Sequence, residues 1–230
     1  MNGQLHLPEI RRNCFKSQVS QYVDIYMDKL LPVFKDIEKD AEKYSNELFE
    51  DFMNQPGYDN SKDPSYIAEE SMESGAEYYL YLKLGLYQLT ATWHSTLYQL
   101  WEQQVRTFLF REESHSQKID YKSYCTKIKT IKERFSYYGV EMGKLSCWSN
   151  IDELRLLCNA IKHSEGDSEQ ELRKKNSKLF KQDNFGFHVD LHKTTLLDEP
   201  LNISEMTLQV YKDSLLSFWD EIPERNYGKE

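Results

Sequence analysis

The sequence is poor in everything that cross-links, rigidifies or anchors a protein. Its four cysteines, Cys14, Cys125, Cys147 and Cys158, stand far apart, with no CxxC pair and no CxxC…HxxxH spacing. That excludes a disulfide framework and a zinc module, and it leads to the expectation of reduced thiols in a cytoplasmic protein. Nine glycines and six prolines are too few for collagen-like or elastic chains. Mean hydropathy is −0.75, and no apolar run approaches the roughly 20 residues that cross a bilayer. The opening MNGQLHLPEIRRN has no long apolar stretch and carries an early Pro8, so neither export nor membrane contact is expected. Walker A, GxGxxG, HExxH and GxSxG patterns are all missing, which removes the commonest phosphate-binding, zinc-protease and serine-hydrolase readings. There is no repeat of fixed period and no low-complexity tract.

What is present is helical periodicity and an uneven charge. With 230 residues a single domain buries around 70% of its unfolded surface unaided, so one domain over 1–230 is expected, with 1–16 as a flexible arm. A formal charge of −9 argues against a protein that coats nucleic acid indiscriminately. Residues 115–181, however, hold 14 Lys and Arg against 9 Asp and Glu, while the rest holds 15 against 29. One basic segment lies in an acidic chain.

Apolar residues recur at three and four from Val19 to Phe52, where Pro32 breaks or kinks the helix, and the turn-rich NQPGYDNSKDP of 54–64 ends it. A second helix opens near Asp63 or Ser65 and runs to Phe110, with an interruption expected at Ser74-Gly75. It is too apolar to face water all round and belongs at the centre of a bundle or under a partner. Further amphipathic helices are expected over 119–138, 151–163 and about 204–219, the second of these opened by Ser149 or Asn150 as cap. The polar stretch 169–182 is a helix candidate. FGFHVDL at 185–191 alternates and is the one strand-like piece. The fold class expected is therefore all-α, a bundle of long up-and-down helices.

Chemistry concentrates at Arg155, Asn159 and His163, spaced i, i+4 and i+8. That spacing drifts by about 40° per step along one helical stripe. A guanidinium to neutralise an oxyanion, an amide to orient it and an imidazole to move protons make a phosphate-handling surface beside Lys162. Arg173, Lys174, Lys175 and Lys178 would supply an electrostatic approach. The bland rival is an ordinary helix surface whose terminal histidine suits the macrodipole. His94 beside Trp93 reads as a core or interface histidine, and the aromatic stretch 78–101 as core or interface. Cys158 reads as inert packing. His188-x-Asp190-x-His192 offers three ligand types on one side of a strand, although polar alternation is the default there. No metal and no cofactor is assigned. The lysine runs at 122–134 and 173–181 read first as solvated faces.

At ELRLLCNAIKHSEG the chain resembles the HEPN family of all-helical nucleases and nucleotide-binding domains, whose signature is an Arg followed four to six residues later by a His, commonly RNxxxH. The resemblance covers this short motif and the surrounding helical plan. It implies a homodimer in which two motifs share one cleft and cut RNA without metal, the 2′-hydroxyl attacking the adjacent phosphate. His163 would then be the acid/base, Asn159 the polar motif residue, and Glu102 the loose counterpart of an acidic residue on an earlier helix. Where the family has Arg directly before the Asn, this chain has Cys158, and the nearest upstream arginine is Arg155. Two function classes follow. One is an endoribonuclease acting as a toxin or defence effector with a neutralising partner protein; the other is a non-catalytic module that binds a nucleotide or a protein in the same cleft. A purely structural helical protein is the third.

Overall fold

A computed structural model describes residues 4–54, 64–182 and 198–228. They form α1 (Glu9–Ile25), α2 (Ile37–Met53), α3 (Pro64–Ser114), α4 (Ile128–Tyr137), α5 (Trp148–His163), α6 (Asp167–Lys175) and α7 (Glu205–Glu221). Among the described residues the sheet content is one antiparallel pair, β1 (Gln4–His6) with β2 (Arg225–Tyr227). The fold is all-α. No described helix is long and apolar enough to cross a membrane. The strand-like piece at 185–191, with His188, Asp190 and His192, lies outside the described residues.

The organising element is α3, 51 residues long and thus about 77 Å from end to end. Its C-terminal half buries His94, Leu97, Trp101, Val105 and Phe108 completely, and α1, α5 and α7 pack around it. The aromatic centre is continuous. Phe15 stacks on Trp219 at 4.4 Å between ring centres, and Trp101 meets Phe218 edge-on at 5.1 Å, the offset and tilted geometries that aromatic quadrupoles favour. The N-terminal half of α3 instead forms an antiparallel hairpin with α2, where Tyr44 meets Tyr78 and the Ser45 hydroxyl donates to the Ser71 carbonyl at 2.9 Å.

The expected interruption at Ser74-Gly75 does not occur. Gly75 sits where α2 comes closest, and a Cβ there would fall 2.7 Å from Ser45 Cβ; the glycine permits close helix packing rather than ending the helix. The expected break at Pro32 does occur, spread over a π-turn at Tyr26–Leu30 and a 3₁₀ turn at Leu31–Phe34. Pro32 lacks an N–H and its ring crowds the carbonyl four residues back, so the ladder has to change register there.

Two expectations are corrected. Residues 4–16 are not a loose arm: Leu5 and Leu7 are fully buried, β1 is paired, and α1 has begun by Glu9. The side chain of Arg12, itself largely buried, donates to the Trp219 carbonyl and ties this end to α7. Similarly, the helix expected over 119–138 is helical only from Ile128. Asp120 accepts hydrogen bonds from the backbone N–H groups of Lys122 and Ser123, both at 3.3 Å, an aspartate turn that competes with helix. Arg106 on α3 then captures the carbonyls of Tyr121 and Tyr124 at 2.5 and 2.7 Å. Those acceptors are no longer available to a helical ladder. Beyond this turn the buried Glu113 carboxylate takes two hydrogen bonds from Arg134, at 2.6 and 2.7 Å, clamping α4 to the end of α3.

Candidate functional site

The helix carrying the motif is held along its whole length. Ile151, Leu154, Leu157, Cys158 and Ile161 are buried, which fixes the roll of α5 against α3 and α7. Its start is not capped by Ser149 or Asn150, both of which lie within the first turn. Glu221 at the end of α7 does this work, accepting from the Ser146 N–H at 2.8 Å, the Ser146 hydroxyl at 2.6 Å and the Cys147 N–H at 3.3 Å. Burial opposes ionisation of this carboxyl, but the donors from Ser146 and Ser217 outweigh it and draw its pKa down to about 2. A carboxylate at a helix N-terminus is also favoured by the dipole.

With the roll fixed, the polar stripe faces outward. Asn159 is half-buried and His163 is exposed. Both line one shallow depression of about 330 Å³, whose opposite wall is the 164–169 turn into α6. The Asn159 amide donates to Ser168 Oγ at 3.1 Å. Ser164, with φ +58, stops α5 immediately after His163 and turns the chain sharply enough for α6 to return alongside. The depression is rimmed by Glu165, Asp167 and Glu169, an acidic setting for an imidazole.

Arg155 is placed elsewhere. It bonds Asp152 at 2.9 Å and lies 3.8 Å from Glu171, and Lys175 reaches the other oxygen of Asp152 at 3.1 Å. Its surroundings are a second groove, of about 350 Å³, between α4 and α5, which also contains Trp148 and Lys132. Eight residues of helix put the Arg155 and His163 backbones about 12 Å apart. The chain therefore brings Asn159 and His163 together and leaves Arg155 in a separate groove. Glu102 is half-buried on α3 and accepts from the Tyr98 hydroxyl at 3.0 Å. Burial, then the Glu102 charge, raises the Tyr98 hydroxyl above the usual tyrosine range, while the Arg155 charge pulls it the other way. Glu102 thus belongs to the Arg155 neighbourhood.

Cys158 occupies the place directly before Asn159 and points the opposite way. It is fully buried against α3, its Sγ 3.2 Å from Ser95 Oγ and 3.5 Å from the Ser95 carbonyl. Of the basic residues near α6, Arg173 is paired with Glu169 and stacked 4.1 Å over the Phe180 ring, and Lys175 is paired with Asp152. Lys162, Lys174 and Lys178 are exposed. His94 is buried, its Nδ1 donating to the Thr90 carbonyl at 2.8 Å and its Nε2 lying 2.9 Å from the Thr207 hydroxyl. It is a structural histidine.

Sequence reasoning passed over Lys129, Lys132 and Trp148 as site residues. The lysines form an i, i+3 pair on α4, a signal visible in the sequence, but the Trp148 that completes their groove comes from a different helix. No family model, curated protein or solved structure matches the chain.

Proposed function

We propose that the chain is an RNA-cleaving enzyme of the HEPN type, acting as a toxin or defence effector and completed by two-fold pairing with a second copy. The observation that carries this reading is the placement of His163: exposed at the last turn of a rigidly held helix, one turn from Asn159, over an open depression. An imidazole so placed reaches a substrate proton, and the amide beside it orients a phosphate oxygen. In the reaction, a ribose 2′-oxygen forms a bond to the adjacent phosphorus as the P–O5′ bond breaks. One base takes the 2′-hydroxyl proton and one acid gives a proton to the departing 5′-oxygen. Two roles call for two groups, and an isologous dimer supplies the second His163 at no cost in sequence. Arg155 of either copy, freed from Glu171, would neutralise the phosphate.

A second reading, a non-catalytic module binding a protein or nucleotide, is favoured by the three carboxylates around the depression and by the pairing of Arg155 with Asp152. Expression of wild type beside His163→Ala in a bacterial host separates the two. Growth arrest with fragmented RNA in wild type alone supports the enzyme. Intact RNA in both, with a hetero-complex recovered from the native source, supports the module.

A further inference from the structure

The basic charge of residues 115–181 is not distributed as the sequence implies. On α5 and α6 much of it is spent internally, since Arg155, Arg173 and Lys175 are all ion-paired. On α4 it is not: Lys129 and Lys132 are exposed and make no ion pair among the described residues. Both border the α4–α5 groove, into which Trp148 contributes its ring and Arg155 its edge. Lys132 Nζ lies 4.9 Å from the centre of the Trp148 ring, and with this ammonium over it the tryptophan is nine-tenths buried. The groove's volume, about 350 Å³, lies at the small end of the range for ligand sites. That is room for one planar ring system, and Lys129 and Lys132 are among the residues that line it.

From this geometry we infer that the α4–α5 groove binds single-stranded RNA, one base stacking on Trp148 as Lys132 swings out, with the flanking phosphates on Lys129 and Lys132. An aromatic platform edged by cations is the combination that holds unpaired nucleotides, because every base has a π-face and every linkage a charge. The two acids of the groove do not oppose this equally. Asp152 is already matched by Arg155 and Lys175, and Glu133 is exposed at the edge. Trp148 begins the helix that His163 ends. A strand lying along α5 would therefore be anchored at one end and presented to His163 at the other, about 22 Å away. This inference rests on the ribonuclease reading for its choice of RNA, but its test does not require cleavage.

The test is fluorescence anisotropy of a labelled ten-nucleotide single-stranded RNA with the full chain carrying His163→Ala, so that nothing is cut. Adding Lys129→Glu and Lys132→Glu, both at exposed positions, is expected to weaken binding by at least about tenfold and to flatten its salt dependence by about two phosphate contacts. Adding Trp148→Leu instead is expected to cost about tenfold with the salt slope retained. Circular dichroism establishes that each variant is folded; should the tryptophan variant unfold, the lysine pair decides alone. Binding unchanged by the lysine pair overturns the proposal, and so does adenosine monophosphate binding as tightly as the oligomer, which would make the ligand a nucleotide. Cleavage by the otherwise wild-type chain that the lysine reversals leave unaffected sinks the groove and spares the nuclease. RNA held in the groove by a chain that never cleaves does the reverse.

Discussion

Cys158 carries the sharpest lesson at the scale of single residues. By the resemblance drawn from the sequence it stands where an arginine would be usual, which implies a site that has lost its cation. In the structure that position faces α3 and is fully buried against Ser95. An arginine there would have to leave water and displace the packing against α3. Cys158→Arg is therefore expected to lower stability by more than about 3 kcal/mol without creating activity, as read by urea denaturation alongside an RNA cleavage assay. A folded and more active variant would mean that α5 is rolled differently. His94 gives a pH signature. Burial, only partly offset by its bond to Thr90, pushes its imidazole from 6.5 down to about 4. As pH falls, the unfolded chain takes up this proton first. The stability due to neutral His94 is thus complete above about pH 6.5 and is lost progressively towards pH 4, by about 3 kcal/mol in all. Stability curves of wild type and His94→Gln between pH 7 and 4 should converge in slope only if this histidine is not the cause.

Among the elements, what was legible followed periodicity. The last helix, expected near 204–219 and found at Glu205–Glu221, has a clear apolar face and a serine-threonine box at its start. The long aromatic helix was legible as a central element because nothing else could cover so much Leu, Tyr and Trp. The stretch 119–127 was not, because its tyrosines recur at helical spacing while Asp120 and the reach of Arg106 decide against helix; side-chain capture of carbonyls from another element leaves no periodic trace. The N-terminal strand was hidden for the same reason, since its partner lies more than 200 residues away. The junction that replaces the missing helical turns depends on Glu113 and Arg134. Arg134→Ala leaves a carboxylate 1% exposed without its cation, and a loss of about 3 kcal/mol or more is expected. Thermal melts that place Arg134→Ala beside a Glu113→Gln, Arg134→Met double variant check this. The double variant should be the more stable of the two, because it removes the buried charge together with its partner; equal melting temperatures would contradict the clamp.

For the whole molecule, the arrangement is a bundle built on half of α3, with the other half of that helix extended beside α2. Charge follows the same division. The described parts of the α2–α3 hairpin are rich in glutamate, whereas Lys129 and Lys132 on α4 and Lys174 and Lys178 near α6 are exposed on the bundle. The overall acidity of the chain thus coexists with exposed lysines on α4, which under the proposed function would favour a selective site over general coating of nucleic acid. Within the chain the Asn159 amide and the His163 imidazole share one depression, and Arg155 lies in the neighbouring groove. The shared helix and the spacing of Arg155, Asn159 and His163 were legible in the sequence. Their division between two surfaces was not, because eight residues of helix turn the stripe by about 80° and the grooves are shaped by α4 and α6.

The account stands or falls on His163. The direct measurement is incubation of purified wild type and His163→Ala with single-stranded RNA, followed by analysis of the product ends. Fragments with 2′,3′-cyclic phosphate and 5′-hydroxyl ends from wild type, and at least about a hundredfold less cleavage by the variant, are the predicted result. RNA left whole by wild type, or cut equally by a folded His163→Ala protein, would contradict it.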